Sequence, residues 1–135
     1  MTELTDEFPR FHFARAADAF LRRCSTLTII HQLRERRIDE IRILPVFSSG
    51  GLKYSHKGNF EIVLNDTLFL EEAVCVVGHE IAHTFHHNLT YSPPKNLLPE
   101  SDRDEVEEFC KSFSGLWVER NSIEKVCSFL SPYFN

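Results

Sequence analysis

The chain has 135 residues, of which 42% are hydrophobic and 26% are charged, as expected for one ordinary globular domain and not for a disordered or fibrous protein. Its formal net charge of −5 disfavours direct binding to nucleic acid, because such binders carry a basic footprint. No apolar run reaches the roughly 20 residues that cross a bilayer, and the acidic first residues lack a secretion signal. We therefore expect a single cytoplasmic domain, residues 1–135, that does not enter a membrane.

The first third of the chain has the apolar spacing of helices. Phe13 to Cys24 predicts an amphipathic helix with its apolar residues on one side. Ser25 is expected to cap a second helix, which continues to about Arg36. These two N-terminal helices account for the residues that precede the first strand.

The middle of the chain changes to a strand-like pattern. Ile41 to Val46 predicts a first strand, which ends at the run Ser48–Gly51. Leu52 to Tyr54 and Phe60 to Leu64 predict a hairpin around the turn at His56–Asn59. We therefore expect a small antiparallel sheet of about three strands.

Helical spacing returns at Leu70, and this helix is expected to end at Asn88 and the pair Pro93–Pro94. A further helix is predicted from about Asp102 to Trp117, and a short last helix from Ser122 to Leu130. The order of helices, small sheet and helices predicts the α+β class.

Four cysteines are spread widely through apolar segments of the chain. They are Cys24, Cys75, Cys110 and Cys127. No pair has the close spacing of a zinc finger, so we expect four reduced, buried thiols and no disulfides.

The helix that begins at Leu70 contains His79-Glu80-Ile81-Ala82-His83, the pattern HExxH. Residues four apart stand one turn above each other, so His79 and His83 can bind one ion. Glu80 lies about 100° round the helix from His79, within reach of a metal-bound water without binding the metal. Zinc lowers the pKa of that water toward neutrality, and Glu80 can pass its proton to the leaving amine.

The surroundings of the motif favour a metal site over coincidence. With this composition, chance produces one HExxH somewhere in the chain at roughly a few per cent. His79 and His83 lie about 160–200° round the wheel from the apolar stripe of their helix, so they face away from the core. That stripe consists of Leu70, Ala73, Val74, Val77, Ile81 and Phe85. The alternative, two surface histidines with a chance glutamate, fits this arrangement less well.

A tetrahedral site needs a third protein ligand beyond the motif. Leu89 stands six residues after His83, which excludes a third histidine at that spacing. His86 and His87 cannot close round the ion from the same straight helix, so we interpret them as polar-face residues or as residues that contact the ligands. A carboxylate from the following helix can approach from the side. The candidates are Asp104, Glu105, Glu107 and Glu108, and the helical wheel does not choose among them.

Together these residues resemble the ImmA/IrrE family of metallo-endopeptidases, over about Phe60 to Val118. The resemblance includes the strand ending in Leu64-Asn65-Asp66, the HExxH segment and the stretch Glu107–Ser114. It implies that Glu107 is the third ligand of a zinc ion held by His79 and His83. Lys111 departs from the family, which usually has Asn or Asp there to orient a ligand by a hydrogen bond.

The resemblance also implies a zincin-like fold in which an edge strand lies along the active-site cleft, with Phe60 to Leu64 as the candidate strand. The expected activity is cleavage of a specific protein, with a separate helix-turn-helix repressor as the candidate substrate. For the developing oxyanion, the candidate donors are Tyr54, His56, His87 and Tyr91.

Three other functions are compatible with the same residues. A zincin-fold binding module of weak or absent activity, which sequesters a regulator, is the interpretation that Lys111 favours. The toxin of a toxin-antitoxin pair and a small peptidase of broad substrate range are the others. Zinc content and selective cutting distinguish these possibilities.

Overall fold

The α+β class is confirmed, and the predicted helices and strands occur in the expected order, with one short N-terminal helix and a two-stranded ribbon that the sequence did not predict. The computed structural model describes residues 3–91 and 94–134. The helices are α1 (Leu4–Glu7), α2 (Ala14–Arg23), α3 (Ile29–Glu35), α4 (Leu70–His83), α5 (Arg103–Asn121) and α6 (Ile123–Leu130). The strands are β1 (Ile38–Leu44), β2 (Gly50–Tyr54), β3 (Phe60–Asn65), β4 (His87–Asn88) and β5 (Lys95–Asn96).

The three-stranded sheet is mixed, and the expectation of an antiparallel sheet is wrong for one of its two pairings. The strand order is β1-β3-β2; β3 pairs antiparallel with β2, as the hairpin predicts, and parallel with β1. The central place of β3 follows from its unbroken apolar run Ile62-Val63-Leu64, which is buried on both faces, as in strands with neighbours on both sides.

The position of β3 also corrects the predicted edge strand. Phe60 to Leu64 has a strand on each side, so it cannot accept a further strand. β2 lies at an edge of the sheet instead, and it contacts α4, the helix that carries HExxH. Sequence patterning did not distinguish the two strands of the hairpin, because the parallel partner β1 comes from a distant part of the chain.

The N-terminal helices agree with the prediction except at one cap. α2 begins and ends within one residue of the expected bounds, but Ser25 does not start a helix. Cys24–Thr26 forms a 3-10 turn and Leu27 is extended, so the next helix begins after Thr28, whose side chain accepts a hydrogen bond from the His31 N–H at 3.2 Å.

The HExxH helix starts at Leu70 as predicted, but its α-helical part ends at His83. A 3-10 turn over Thr84–His86 follows, and β4 then pairs with β5 in a two-stranded ribbon. Pro93, one of the residues expected to end the helix, lies outside the described residues. The earlier ending turns His86 and His87 out of the line of the helix.

Close packing of α4 on α5 sets the geometry of the site. A Cβ added to Gly78 would lie 2.7 Å from Ser114 Oγ and 3.0 Å from Trp117 Cε3, so only glycine allows this approach. The Ser114 hydroxyl donates to the carbonyl of Cys75 at 2.8 Å and joins the helices at the same level. The side chain of His79, next to Gly78, therefore faces α5 directly.

The four thiols are free, as expected, but not all are buried. Cys24 and Cys110 are buried, Cys127 is half-buried and Cys75 is exposed, because it lies on the side of α4 opposite the core stripe. Within residues 3–91 and 94–134, no helix has the length and hydrophobicity needed to cross a membrane.

Candidate metal centre

Two helices bring His79, His83 and Glu107 to one point. The Nε2 atom of His79 lies 2.9 Å from Glu107 Oε2, and the Nε2 atom of His83 lies 3.4 Å from Glu107 Oε1. The two imidazole centroids are 4.9 Å apart, as the spacing of one helical turn requires. The three residues expected to hold a metal therefore present their donor atoms to a shared position.

The spacing of these atoms is close to that around a tetrahedral ion. Around a zinc with bonds of about 2.0–2.2 Å, neighbouring donor atoms lie about 3.3–3.6 Å apart. The distance from His83 to Glu107, 3.4 Å, falls in that range, and the distance from His79 to the other oxygen of Glu107, 2.9 Å, is shorter. The donor atoms that all lie within 4.8 Å of one another belong to His79, His83 and Cys110, with the Glu107 carboxylate beside both histidines.

Hydrogen bonds behind His83 determine which of its nitrogens faces the site. Asn96 Oδ1 accepts the backbone N–H of Leu98 at 3.0 Å, which identifies this atom as the amide oxygen. It therefore also accepts from His86 Nδ1 at 2.9 Å, and His86 Nε2 is left to accept from His83 Nδ1 at 2.7 Å. In this chain of bonds His83 carries its proton on Nδ1, and its Nε2 has a free lone pair.

Burial keeps His83 neutral in this position. Together with the neighbouring imidazoles of His86, His79 and His87, it lowers the pKa of His83 to about 3. The contact of His83 with Glu107 is therefore not an ion pair but two acceptor atoms that face each other at 3.4 Å. A cation between them removes the conflict.

Glu80 has the properties of a proton acceptor. Its side chain is 8% exposed, and no described residue hydrogen-bonds to it. Burial, together with the nearby charge of Glu107, raises the pKa of Glu80 to about 7. A carboxylate with this pKa can take and return a proton near neutral pH.

Glu80 and His79 line a cavity of about 430 Å³ between α4 and the start of the edge strand β2. Its other lining residues are Ser48, Ser49, Gly50, Cys75 and Val76. A second cavity, of about 400 Å³, is lined by His83, Glu107 and His87 among others. Each of the two histidines thus borders a cavity.

The structure separates Glu107 from the other acidic candidates on α5. Glu105 pairs with Arg10, Glu108 pairs with Lys111 at 3.7 Å, and Asp104 is exposed. Lys111 is directed to solvent, with 71% of its side chain exposed, and does not contact the histidines. Of the four carboxylates, Glu107 is the one that reaches them.

The four candidate oxyanion donors lie in different places relative to the candidate site. His87 lines the cavity that contains His83 and Glu107, and its Nδ1 is 2.7 Å from the hydroxyl of Tyr54. Burial lowers the pKa of His87 to about 4, so the ring is neutral, and its Nε2 carries the proton when Tyr54 donates to Nδ1. His56 lies in the β2–β3 turn and Tyr91 contacts Lys95.

Two residues of the site were missed by sequence reasoning. Cys110, expected only as one of four reduced, buried thiols, has its Sγ within 4.8 Å of ring nitrogens of both His79 and His83. Asn96 holds His86 in place from a two-residue strand. The spacing of Cys110, three residues after Glu107, was a usable signal, since residues three apart share a helix face; Asn96 gave none.

No family model, curated protein or solved structure matches this chain. The fold and the site nevertheless define a class: a small α+β domain with a candidate centre of two histidines and one glutamate beside a buried carboxylate. What this centre does is inferred from its own geometry.

Proposed function

We propose that this chain is a zinc-dependent endopeptidase whose metal is held by His79, His83 and Glu107 and whose general base is Glu80. The observation that carries the proposal is the pair of acceptors, His83 Nε2 and Glu107 Oε1, which face each other at 3.4 Å. Two lone pairs at this distance repel unless a proton or a metal ion lies between them.

Zinc suits the donor set better than the other common divalent ions. Two imidazole nitrogens and one carboxylate, with a position left open, are the ligands of catalytic zinc in hydrolases, whereas magnesium and calcium prefer oxygen alone. Zinc bound here supplies a Lewis acid for the peptide carbonyl and lowers the pKa of a water molecule.

The protein's own part in the reaction is proton transfer and orientation. Glu80 accepts the proton of the attacking water and later delivers it to the amine nitrogen as the peptide bond breaks. His86 and Asn96 hold the His83 ring so that Nε2 stays directed at the site. His87, on the cavity wall, is the candidate donor to the oxyanion.

An extended peptide segment is the substrate form that this site accommodates. The outer edge of β2 has no partner strand among the described residues, and β2 begins at the cavity that contains His79 and Glu80. Backbone hydrogen bonds along that edge hold a peptide in line with the cleft. Membership of the ImmA/IrrE family, and with it a separate helix-turn-helix repressor as substrate, is the more specific form of the proposal.

Metal analysis and peptide cleavage test the proposal together. Natively purified protein is expected to contain about one zinc per chain, and the variants His79→Ala and Glu107→Ala are expected to lose it. Glu108→Ala, one residue away and directed to solvent, is the matched control that keeps the metal. Glu80→Gln is expected to keep zinc and to lose cleavage of an unstructured peptide library.

Two results would overturn the proposal. One is purified protein that carries no zinc and takes up none on dialysis. The other is cleavage by Glu80→Gln at the wild-type rate.

A binding module without turnover is the second candidate, and one observation favours it. No described residue hydrogen-bonds to the Nδ1 atom of His79, and Lys111, which stands at the family's orienting position, is directed to solvent. The His79 ring is therefore less firmly oriented than the His83 ring. Tight binding of a partner protein that is equal in wild type and Glu80→Gln, without cleavage at full zinc load, distinguishes this function.

A further inference from the structure

Cys110 lies beside both histidines of the candidate site. It follows Glu107 by three residues on α5, so both side chains face α4. The residue is completely buried, and its Sγ and ring nitrogens of His79 and His83 all lie within 4.8 Å of one another.

The surroundings of the two fully buried thiols differ. The Cys24 thiol donates to the carbonyl of Phe20 at 3.3 Å, the usual arrangement of a cysteine in a helix. The Cys110 thiol has no hydrogen bond among the described residues, and its Sγ lies within 4.8 Å of a ring nitrogen of each histidine. One sulfur and two imidazole nitrogens are donor types that zinc takes together.

We propose that Cys110 is a fourth protein donor to the ion held by His79, His83 and Glu107. This inference rests on the proposed metal site. On binding, the S–H bond breaks, a sulfur–metal bond forms and the proton leaves to solvent. The sulfur then fills the position that the attacking water needs, because a tetrahedral ion has four positions.

The consequence is a latent form of the enzyme. Zinc sites with four protein ligands are closed and structural, whereas catalytic sites keep one position open. Cys110 must leave the ion before water can enter, so peptide binding along β2 and α4 competes with the sulfur. Removal of the thiol produces an open site from the start.

Cobalt substitution detects the sulfur directly, without any substrate. Cobalt(II) bound to thiolate has a near-ultraviolet charge-transfer band, while its visible bands report four-coordinate binding by any ligands. Metal-free wild type, Cys110→Ser, Cys110→Ala and Cys127→Ser are titrated with cobalt(II) chloride, and circular dichroism checks that each variant is folded. Cys127, half-buried on α6, supplies the matched control.

We expect the charge-transfer band in wild type and Cys127→Ser and its complete loss in both Cys110 variants, which keep the visible bands. Visible bands without a charge-transfer band in wild type would overturn the role of Cys110 and leave the metal site of the proposed function standing. A band that survives in both folded Cys110 variants would also overturn it. Failure of wild type to bind cobalt or zinc would overturn both proposals.

Discussion

The Nδ1 atom of His83 and the Nε2 atom of His86 are joined by a 2.7 Å hydrogen bond, and this contact determines which nitrogen of His83 faces the candidate metal. His86 is buried at 4% exposure, in contact with Phe13 on one side and Asn96 on another. Its contact with His83 agrees with the sequence interpretation of His86 as a residue that contacts a candidate ligand. Its burial excludes the other interpretation, a residue on the polar face of the helix.

Loss of the acceptor at position 96 is expected to weaken zinc binding about 10–100-fold, the usual effect of removing a group that orients a ligand. Asn96→Ala removes the amide oxygen that accepts the His86 N–H. Asn96 is exposed, so its truncation should not unfold the protein. Asn96→Asp keeps an acceptor and is expected to retain wild-type affinity. Competition with a chromophoric chelator measures the zinc dissociation constants of wild type and the two variants. Equal affinity in Asn96→Ala and wild type would show that the His86–Asn96 hydrogen bond does not orient His83.

Burial of Glu80 predicts a pH dependence of stability in protein stripped of metal by a chelator. Its pKa is about 7 in the folded chain against 4.5 for an unperturbed glutamate, so the folded state binds more protons between these values. Stability is therefore lost as pH rises from about 4.5 to about 7 and is constant above that range. The full loss is about 3 kcal/mol from this group.

Urea unfolding at several pH values measures this effect. Glu80→Gln cannot ionise, so its free energy of unfolding relative to wild type should increase between pH 4.5 and 7 and then level off. Glu108→Gln, whose side chain is exposed, is the control with no such trend. A difference between Glu80→Gln and wild type that does not change with pH would show that Glu80 ionises as freely as in water.

The exposure of Lys111 predicts that this side chain has little effect on the candidate metal site, although the family resemblance places an orienting residue at this position. Lys111→Ala is expected to change zinc affinity less than about threefold, because the side chain is 71% exposed and pairs with Glu108 rather than with the site. Chelator competition is again the measurement. A larger loss would mean that Lys111 reaches the site in solution, and the position would then matter for the ligands as it does in the ImmA/IrrE family.

Local periodicity was sufficient to predict the hairpin and most of the longer helices, but not all of their ends. The start of α4 at Leu70 and the antiparallel pair β2–β3 follow from apolar spacing and turn residues that are close in sequence. The parallel pairing of β1 with β3 was not predicted, because strands 20 residues or so apart leave no local sign of their direction. The wrong edge strand was a consequence of that one error.

In the candidate site too, residues that are close in sequence were predicted, whereas residues from other elements were harder to predict. His79, Glu80 and His83 are adjacent on one helix, so spacing alone shows that they share a face. Glu107 could be selected from its acidic neighbours only through a family resemblance, and the structure brings it to the histidines by the packing of α4 on α5. The role of Asn96 depends on tertiary contacts of a short ribbon, which single-sequence patterns do not encode. Cys110 is three residues after Glu107, so its place on the same helix face could have been read from the sequence.

Gly78 holds α5 close enough for Glu107 to reach the histidines, so a methyl group at this position should affect both stability and metal binding. In Gly78→Ala the new Cβ meets Ser114 Oγ at 2.7 Å and Trp117 Cε3 at 3.0 Å, and α5 must move away. We expect a loss of about 1–3 kcal/mol in unfolding free energy and weaker zinc binding, because overpacked interiors relax by backbone shifts.

Gly115→Ala, on the exposed face of α5 with open space around it, is the control. It should gain about 0.5–1 kcal/mol in unfolding free energy and bind zinc normally. Thermal unfolding with and without zinc measures both effects, and a destabilised Gly78→Ala with unchanged zinc affinity would show that the helix spacing supports the fold but not the site.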